Sequence, residues 1–331
     1  MRHALLFPAL CVLVSCGGDS RTPTSPEPSD GGPAYLETAG EWTLAGRVTT
    51  TLSRAPVAGA RVSAGDIQAV TDSSGRFELR SDSTLAGPLA VKVQKGGYVT
   101  RYTHVAHPRD RALEIGAIAS GRPFSLGFYR ALLRNYQESG YLYPNLRWTR
   151  RPTFYLRTRD QTGRAVDPDV LRLVRRELVS AFSAWTGGRY KARVQQGAAD
   201  RPDAPGVVRI LFIRGRRSPI CGRATVGGDS GWMELYLSNC NCGSRKITAA
   251  TVWHEAGHTA GFFHVRGRYM MNPYLNNLCD RRVDISSAER HHSRIAYDRP
   301  HGNTDPDRDP PDFALEQPVA GDGPIVSCPR P

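Results

Sequence analysis

Residues 254–264 read His254-Glu255-Ala256-Gly257-His258-Thr259-Ala260-Gly261-Phe262-Phe263-His264. The first two histidines are four apart, so a helix here carries both imidazoles on one face, one turn apart. Glu255 follows the first of them and can face the same spot without taking a ligand position. His264 comes six residues after His258. On a continuous helix it would point roughly 240° away, at about 100° per residue. The chain must therefore bend between them, and Gly261 can bend it, because glycine enters positive φ at low cost. The spacing predicts a helix, a sharp glycine turn and a third imidazole returning from the far side.

Three neutral imidazoles around one cation leave one tetrahedral position open, which is the pattern of a catalytic zinc site; a structural site is closed by four protein ligands. One zinc ion is the expected cofactor, with His254, His258 and His264 as ligands. Glu255 is the expected general base, taking a proton from water and passing it to a leaving amine. At ordinary residue frequencies, five matched positions arise by chance in only about one chain of this length in 10⁴–10⁵, so coincidence is a poor rival.

Further along lies Tyr269-Met270-Met271-Asn272-Pro273-Tyr274. With this segment the sequence resembles the metzincin peptidases, and in particular the matrixin branch. His254, Glu255, His258, Gly261 and His264 fill the zinc motif, and Met271, two before a proline, matches the methionine turn. The resemblance covers about residues 148–298. It implies a zinc endopeptidase acting on extended polypeptides. Residues 222–228 resemble the substrate-binding edge strand of that family, which implies that Ala224, Thr225 and Val226 pair with a peptide by strand addition. Pro273 and Tyr274 are then expected beside the substrate. Some metzincins place a tyrosine ligand two residues after the turn methionine; Pro273 stands there, so no extra ligand is expected. Structural calcium is common in the branch, but no ligand cluster for it is legible, and Asp305, Asp307 and Asp309 read as solvated residues of a Pro-rich tail.

The elements upstream fit a mixed α/β (α+β) catalytic domain with a twisted mixed sheet and a zinc-binding helix. Strands are expected at residues 151–158, 190–195, 207–213, 224–226 and 233–237. Asp167-Pro168 opens a helix as N-cap and first helical residue. Val170, Leu171, Val174, Leu178, Val179, Phe182 and Trp185 recur at helical spacing, and Gly187-Gly188 ends it. Ser286 and Glu289 read as the capping box of a last helix.

Residues 40–119 alternate apolar and polar in short runs, at 42–48, 60–63, 76–79 and 89–93, with Gly-rich turns between. That patterning argues for a β-sandwich. The stretch from Gly46-Arg47-Val48 to Thr100-Arg101-Tyr102 resembles the carboxypeptidase regulatory-like module over most of residues 43–105, which implies a spacer or binding domain without catalysis. The expected organisation is multidomain: 1–15 signal peptide, 16–39 tether, 40–119 β-sandwich, 120–147 connector, 148–298 catalytic domain and 299–331 tail. A surface-anchored binding protein with an inactive zinc domain is the alternative, and the intact Glu255 speaks against it.

The chain begins with a basic residue, Arg2, and an apolar run from Ala4 to Val14, too short to span a bilayer but suited to a signal-peptide core. It ends in Leu13-Val14-Ser15-Cys16, which resembles a bacterial lipobox and implies lipidation at Cys16. Membrane anchoring through that lipid, a cell-envelope location outside the cytoplasm and a monomeric state follow as expectations. Such a compartment permits disulfides, and at least one is expected among Cys221, Cys240, Cys242 and Cys279, with the connectivity among these and Cys328 open. The net charge is +13. The arginines that carry it are scattered, and no helix-turn-helix, RRM or zinc-finger spacing occurs, so a nucleic-acid partner is not expected. The expected partners are a protein or peptide substrate and a membrane.

Overall fold

In a strand, successive side chains face opposite sides, and a sheet with one dry face sorts its residues by that alternation. Strand β4 (Arg76–Ser81) shows it plainly: Phe77, Leu79 and Ser81 are buried, and Arg76, Glu78 and Arg80 are exposed. The computed structural model describes residues 41–85, 87–105, 113–215, 220–237, 247–274, 283–312 and 325–329; the signal, tether and Cys16 of the sequence reading lie outside them. Beyond β4, the first part of the chain contains β1 (Trp42–Thr50), β2 (Arg61–Ala64), β3 (Ile67–Val70), β5 (Leu89–Gln94), β6 (Arg101–Val105) and β7 (Leu113–Ala117). They form two sheets, in the orders β4-β1-β7 and β3-β2-β5-β6. Trp42, Leu44, Val62, Phe77, Leu79, Val91 and Ile115 pack between them. Fully burying an aliphatic side chain such as Leu44 stabilises by about 1.5–3 kcal/mol.

The alternating runs at 42–48, 60–63, 76–79 and 89–93 thus fall in β1, β2, β4 and β5. Strands β3, β6 and β7 escaped the sequence reading. β3 buries neither face fully, and β7 joins β1 in parallel, so neither shows one clean apolar face.

The second sheet system contains β8 (Thr153–Arg157), β9 (Arg193–Gly197), β10 (Val207–Ile213), β11 (Ile220–Thr225) and β12 (Gly231–Tyr236). Their order is β9-β8-β10-β12-β11, with β13 (Ile325–Pro329) outside β11. β9, β8, β10 and β12 run parallel, whereas β11 is antiparallel to both neighbours. Cys221 of β11 is disulfide-bonded.

Helices α2 (Pro168–Trp185) and α3 (Ala249–Thr259) pack on each other and on this sheet. Asp167 caps α2 by accepting the Asp169 N–H. Phe154, Leu156, Val174, Phe182, Ile210, Met233 and Val252 share one core. Helix α1 (Leu126–Arg134) sends Ala131, Leu132 and Leu133 into that same core, so much of the supposed connector packs with the second sheet. Helix α4 (Ser287–Tyr297) starts with the expected capping box, Ser286 and Glu289 bonding reciprocally.

The largest departure from the sequence reading concerns residues 299–312. Asp307 and Asp309 are buried rather than solvated. Arg101 Nη1 pairs with Asp307 at 2.7 Å and Nη2 with Asp309 at 2.6 Å. Arg299 Nε pairs with the same Asp307 at 2.7 Å. Its Nη2 donates to Gly116 O and Thr51 Oγ1, each at 2.9 Å. Asp305 binds Arg130 at 2.8 Å and 2.9 Å. Buried charges persist only when paired and hydrogen-bonded, and here the segment after α4 supplies the carboxylates and Arg299, and strand β6 supplies Arg101.

α4 and α1 also meet through His292. Its Nδ1–H donates to Ala288 O at 2.7 Å, and its Nε2 accepts the Ser125 N–H at 3.0 Å. Burial lowers its pKa to about 4. An unfolded histidine titrates near 6.5. Between those values the unfolded chain therefore binds more protons, and stability falls as pH falls through that window. The full shift corresponds to about 3 kcal/mol at most. We expect the metal-free urea midpoint to drop between pH 7 and pH 4.5, and His292→Gln to flatten the drop. Equal slopes in the two proteins would refute this assignment.

Candidate metal centre

Helix α3 begins at Thr248, whose side chain accepts the Thr251 N–H. It presents His254 and His258 one turn apart, both fully buried. The helix ends as the spacing requires. Gly261 has φ +102°. Its N–H donates to His258 O at 2.8 Å, and the Phe262 N–H donates to Gly257 O at 3.0 Å. This pair of bonds is a Schellman ending. The reversed chain then brings His264 back to the other two rings.

The three Nε2 atoms converge. His254 Nε2 and His264 Nε2 each lie 3.1 Å from His258 Nε2, and the three ligand atoms all fall within 4.8 Å of one another. Every Nδ1 faces an acceptor: His254 donates to Met270 O at 2.6 Å, His258 to Phe262 O at 2.8 Å and His264 to Glu138 Oε1 at 2.7 Å. Acceptors at Nδ1 fix the Nδ1–H tautomer, so in the neutral rings the Nε2 lone pairs point at each other. Burial first, and then the His264 ring, lower the pKa of His254 to about 3 and that of His258 well below its usual value. Both rings are therefore neutral at physiological pH, the form in which imidazole binds a metal.

Converging lone pairs repel unless a cation lies between them. Tetrahedral bonds of 2.0–2.1 Å to zinc place ligand nitrogens about 3.3 Å apart. The donor set and its spacing thus fit a divalent ion such as zinc. Among the described residues this is the one group of three or more His, Cys, Asp or Glu placed to hold a metal.

The floor of the centre is the turn after His264. Met271 is fully buried. Its N–H donates to Glu289 Oε1 at 2.9 Å, so the capping carboxylate of α4 also fixes the methionine turn. A side chain at Gly257 would collide with the Met271 sulfur and the Trp185 ring, which explains glycine at the third position between the two helical ligands. Glu255 is buried and lies against β11. A Cβ at Gly222 would come within 2.6 Å of Glu255 Oε1.

Ala224, Thr225 and Val226 are buried. On its outer edge β11 pairs with β13, Ala224 opposite Val326 and Thr225 opposite Ile325. Pro273 is half-buried, and Tyr274 is 51% exposed. The sequence reading missed Glu138 and Gly222. Nothing in the local pattern around either residue marks it, and their roles follow from contacts made across the fold.

Two solved structures share a segment with this chain: type II cohesin–X-dockerin complexes from Acetivibrio cellulolyticus, an N-terminal and a C-terminal interface mutant. Identity is 33% and 34%, over 24% of this chain and 58% of each of those chains, with a TM-score of 0.20. The chain thus spans little more than half the length of those relatives, and the likeness carries no weight for the metal centre. No curated protein matches the chain. Residues 43–117 match the family model of the carboxypeptidase regulatory-like domain, so the β-sandwich is an N-terminal domain of that family.

Proposed function

We propose that residues 148–298 act as a zinc-dependent endopeptidase of the metzincin type, cutting polypeptides outside the cytoplasm. The observation that carries the reading is the convergence of three buried imidazole Nε2 atoms, two from helix α3 and the third from the chain beyond it, beside the buried Glu255 of that helix. Three protein donors leave a position for water or substrate. Bound zinc supplies Lewis acidity towards water and the scissile carbonyl. Glu255 accepts the proton of the attacking water and delivers it to the leaving nitrogen. The bare backbone at Gly222 gives its carboxylate room. A substrate in extended form would align along β11 at Ala224 and Thr225 by strand pairing, next to Val226, with Pro273 and Tyr274 at the far side of the methionine turn. A lipid on Cys16 would hold the monomeric enzyme at the cell envelope.

The test is digestion of a mixed peptide library by the protein lacking residues 1–33, beside Glu255→Ala, with zinc measured on both. Cleavage by the first alone, with about one zinc on each, supports the reading, and the cut sites report the preference. Absence of zinc from both proteins would remove its basis. Zinc on both with no cleavage would favour a binding role.

A further inference from the structure

Three hydrogen bonds tie the chain after Gly261 to α1 and the turn beyond it. The Phe263 N–H donates to Leu132 O at 2.7 Å. The Arg266 N–H donates to Gln137 Oε1 at 2.8 Å. Between them, His264 Nδ1–H donates to Glu138 Oε1 at 2.7 Å. The turn that carries Gln137 and Glu138 is itself set by Asn135, the left-handed cap of α1 at φ 57°. Its carbonyl accepts the N–H groups of Glu138 and Ser139.

The three imidazoles are not oriented alike. Main-chain carbonyls of Met270 and Phe262 hold His254 and His258, and these carbonyls come with the helix end and the methionine turn. His264 lies beyond the helix, on irregular chain, and a side chain from 126 residues away holds it. A ring on irregular chain can rotate about χ2 or change tautomer unless its second nitrogen is engaged. The His264 side chain is buried, whereas that of Glu138 remains 37% exposed, so the carboxylate reaches the ring from the rim.

We infer that Glu138 is the positioning residue of the third ligand: its carboxylate holds the His264 Nδ1–H, fixes the ring in the tautomer whose Nε2 faces His254 and His258, and strengthens that nitrogen as a donor. The inference rests on the metal-centre reading of the three histidines, and it extends the centre to the turn after α1. Loss of such a partner typically weakens metal binding by about 10–100-fold.

The experiment measures zinc affinity of the full chain by competition with a chromophoric chelator, and records the visible spectrum of the cobalt-loaded form. Glu138→Ala, Glu138→Gln and Gln137→Ala are compared with the native chain. We expect Glu138→Ala to bind zinc about 10–100-fold more weakly, with an altered cobalt spectrum. Glu138→Gln should recover much of the loss, because its amide oxygen still accepts. Gln137→Ala removes a neighbouring bond to the same loop without touching a ligand, and should leave affinity unchanged. Native affinity in Glu138→Ala would overturn the inference. So would an equal loss in Gln137→Ala, which would mean that loop order matters and ring orientation does not. A native chain that binds no zinc would overturn the metal centre itself, an outcome readily told apart from the other two.

Discussion

Glu255→Ala is expected to slow peptide hydrolysis by about 10²–10⁴-fold, the usual contribution of a general acid–base, with zinc content unchanged. Gly222→Ala should do nearly as much from the opposite wall. A methyl group there would meet three atoms of the Glu255 side chain, Oε1 at 2.6 Å and Cδ and Cγ at 2.9 Å. Contacts below 3 Å cannot stand, and Glu255 is buried on a packed helix, so the carboxylate must swing or the strand must shift. A displacement near 1 Å at a reacting group can cost about 10²-fold. Gly222 has no contact with the histidines among its nearest neighbours, so zinc should stay bound. Hydrolysis and zinc content measured together on each variant decide the matter. Full activity in Gly222→Ala would place the working carboxylate elsewhere, and loss of zinc in Glu255→Ala would make Glu255 structural.

Asp307→Ala is expected to cost about 3–5 kcal/mol, the usual penalty for breaking a buried ion pair from one side. Asp307 is fully buried, and its oxygens receive Arg101 and Arg299 while Asn303 Nδ2 donates to it at 3.1 Å. Alanine leaves Arg299, 1% exposed, with only the longer contact to Asp298 at 3.4 Å, and leaves Arg101 with Asp309. Against a typical stability of about 5–15 kcal/mol this is a large fraction, visible as a lower urea midpoint. Asp307→Asn keeps an acceptor and should cost less. Burial alone would raise the Asp307 carboxyl, but Arg101 and Arg299 hold it below the usual range. Its contribution is therefore present above the unfolded carboxylate value, about 3.9, and is lost as pH falls through the folded one. A penalty under about 1 kcal/mol would match a surface pair and contradict the buried description.

The centre was legible because its information is local. Two ligands stand four positions apart and the next two six apart, and helix periodicity converts those numbers into directions. Gly261 at φ +102° is where spacing demanded a bend. The capping box at Ser286 and Glu289 and the N-cap at Asp167 were legible for the same reason. Asp307 was not. Its composition and its Pro-rich neighbours point to solvent, and its partner Arg101 is 206 residues away. Glu138 is likewise an ordinary polar residue until the fold carries His264 to it. Local patterns fix helix ends and ligand faces, whereas the pairing of distant charges is decided by packing that no short window contains.

The outer edge of β11 already carries β13, antiparallel, from Ile220 opposite Pro329 to Thr225 opposite Ile325. A strand joined to the same chain competes at an effective concentration of the order of millimolar. An arriving peptide that pairs with β11 is then in a contest with a resident, and its apparent affinity is the difference between two strand pairings. Were a substrate to pair with β11, sequences that pair more tightly than Ile325–Pro329 would gain the edge, and weaker ones would be kept off it however well they suited the metal.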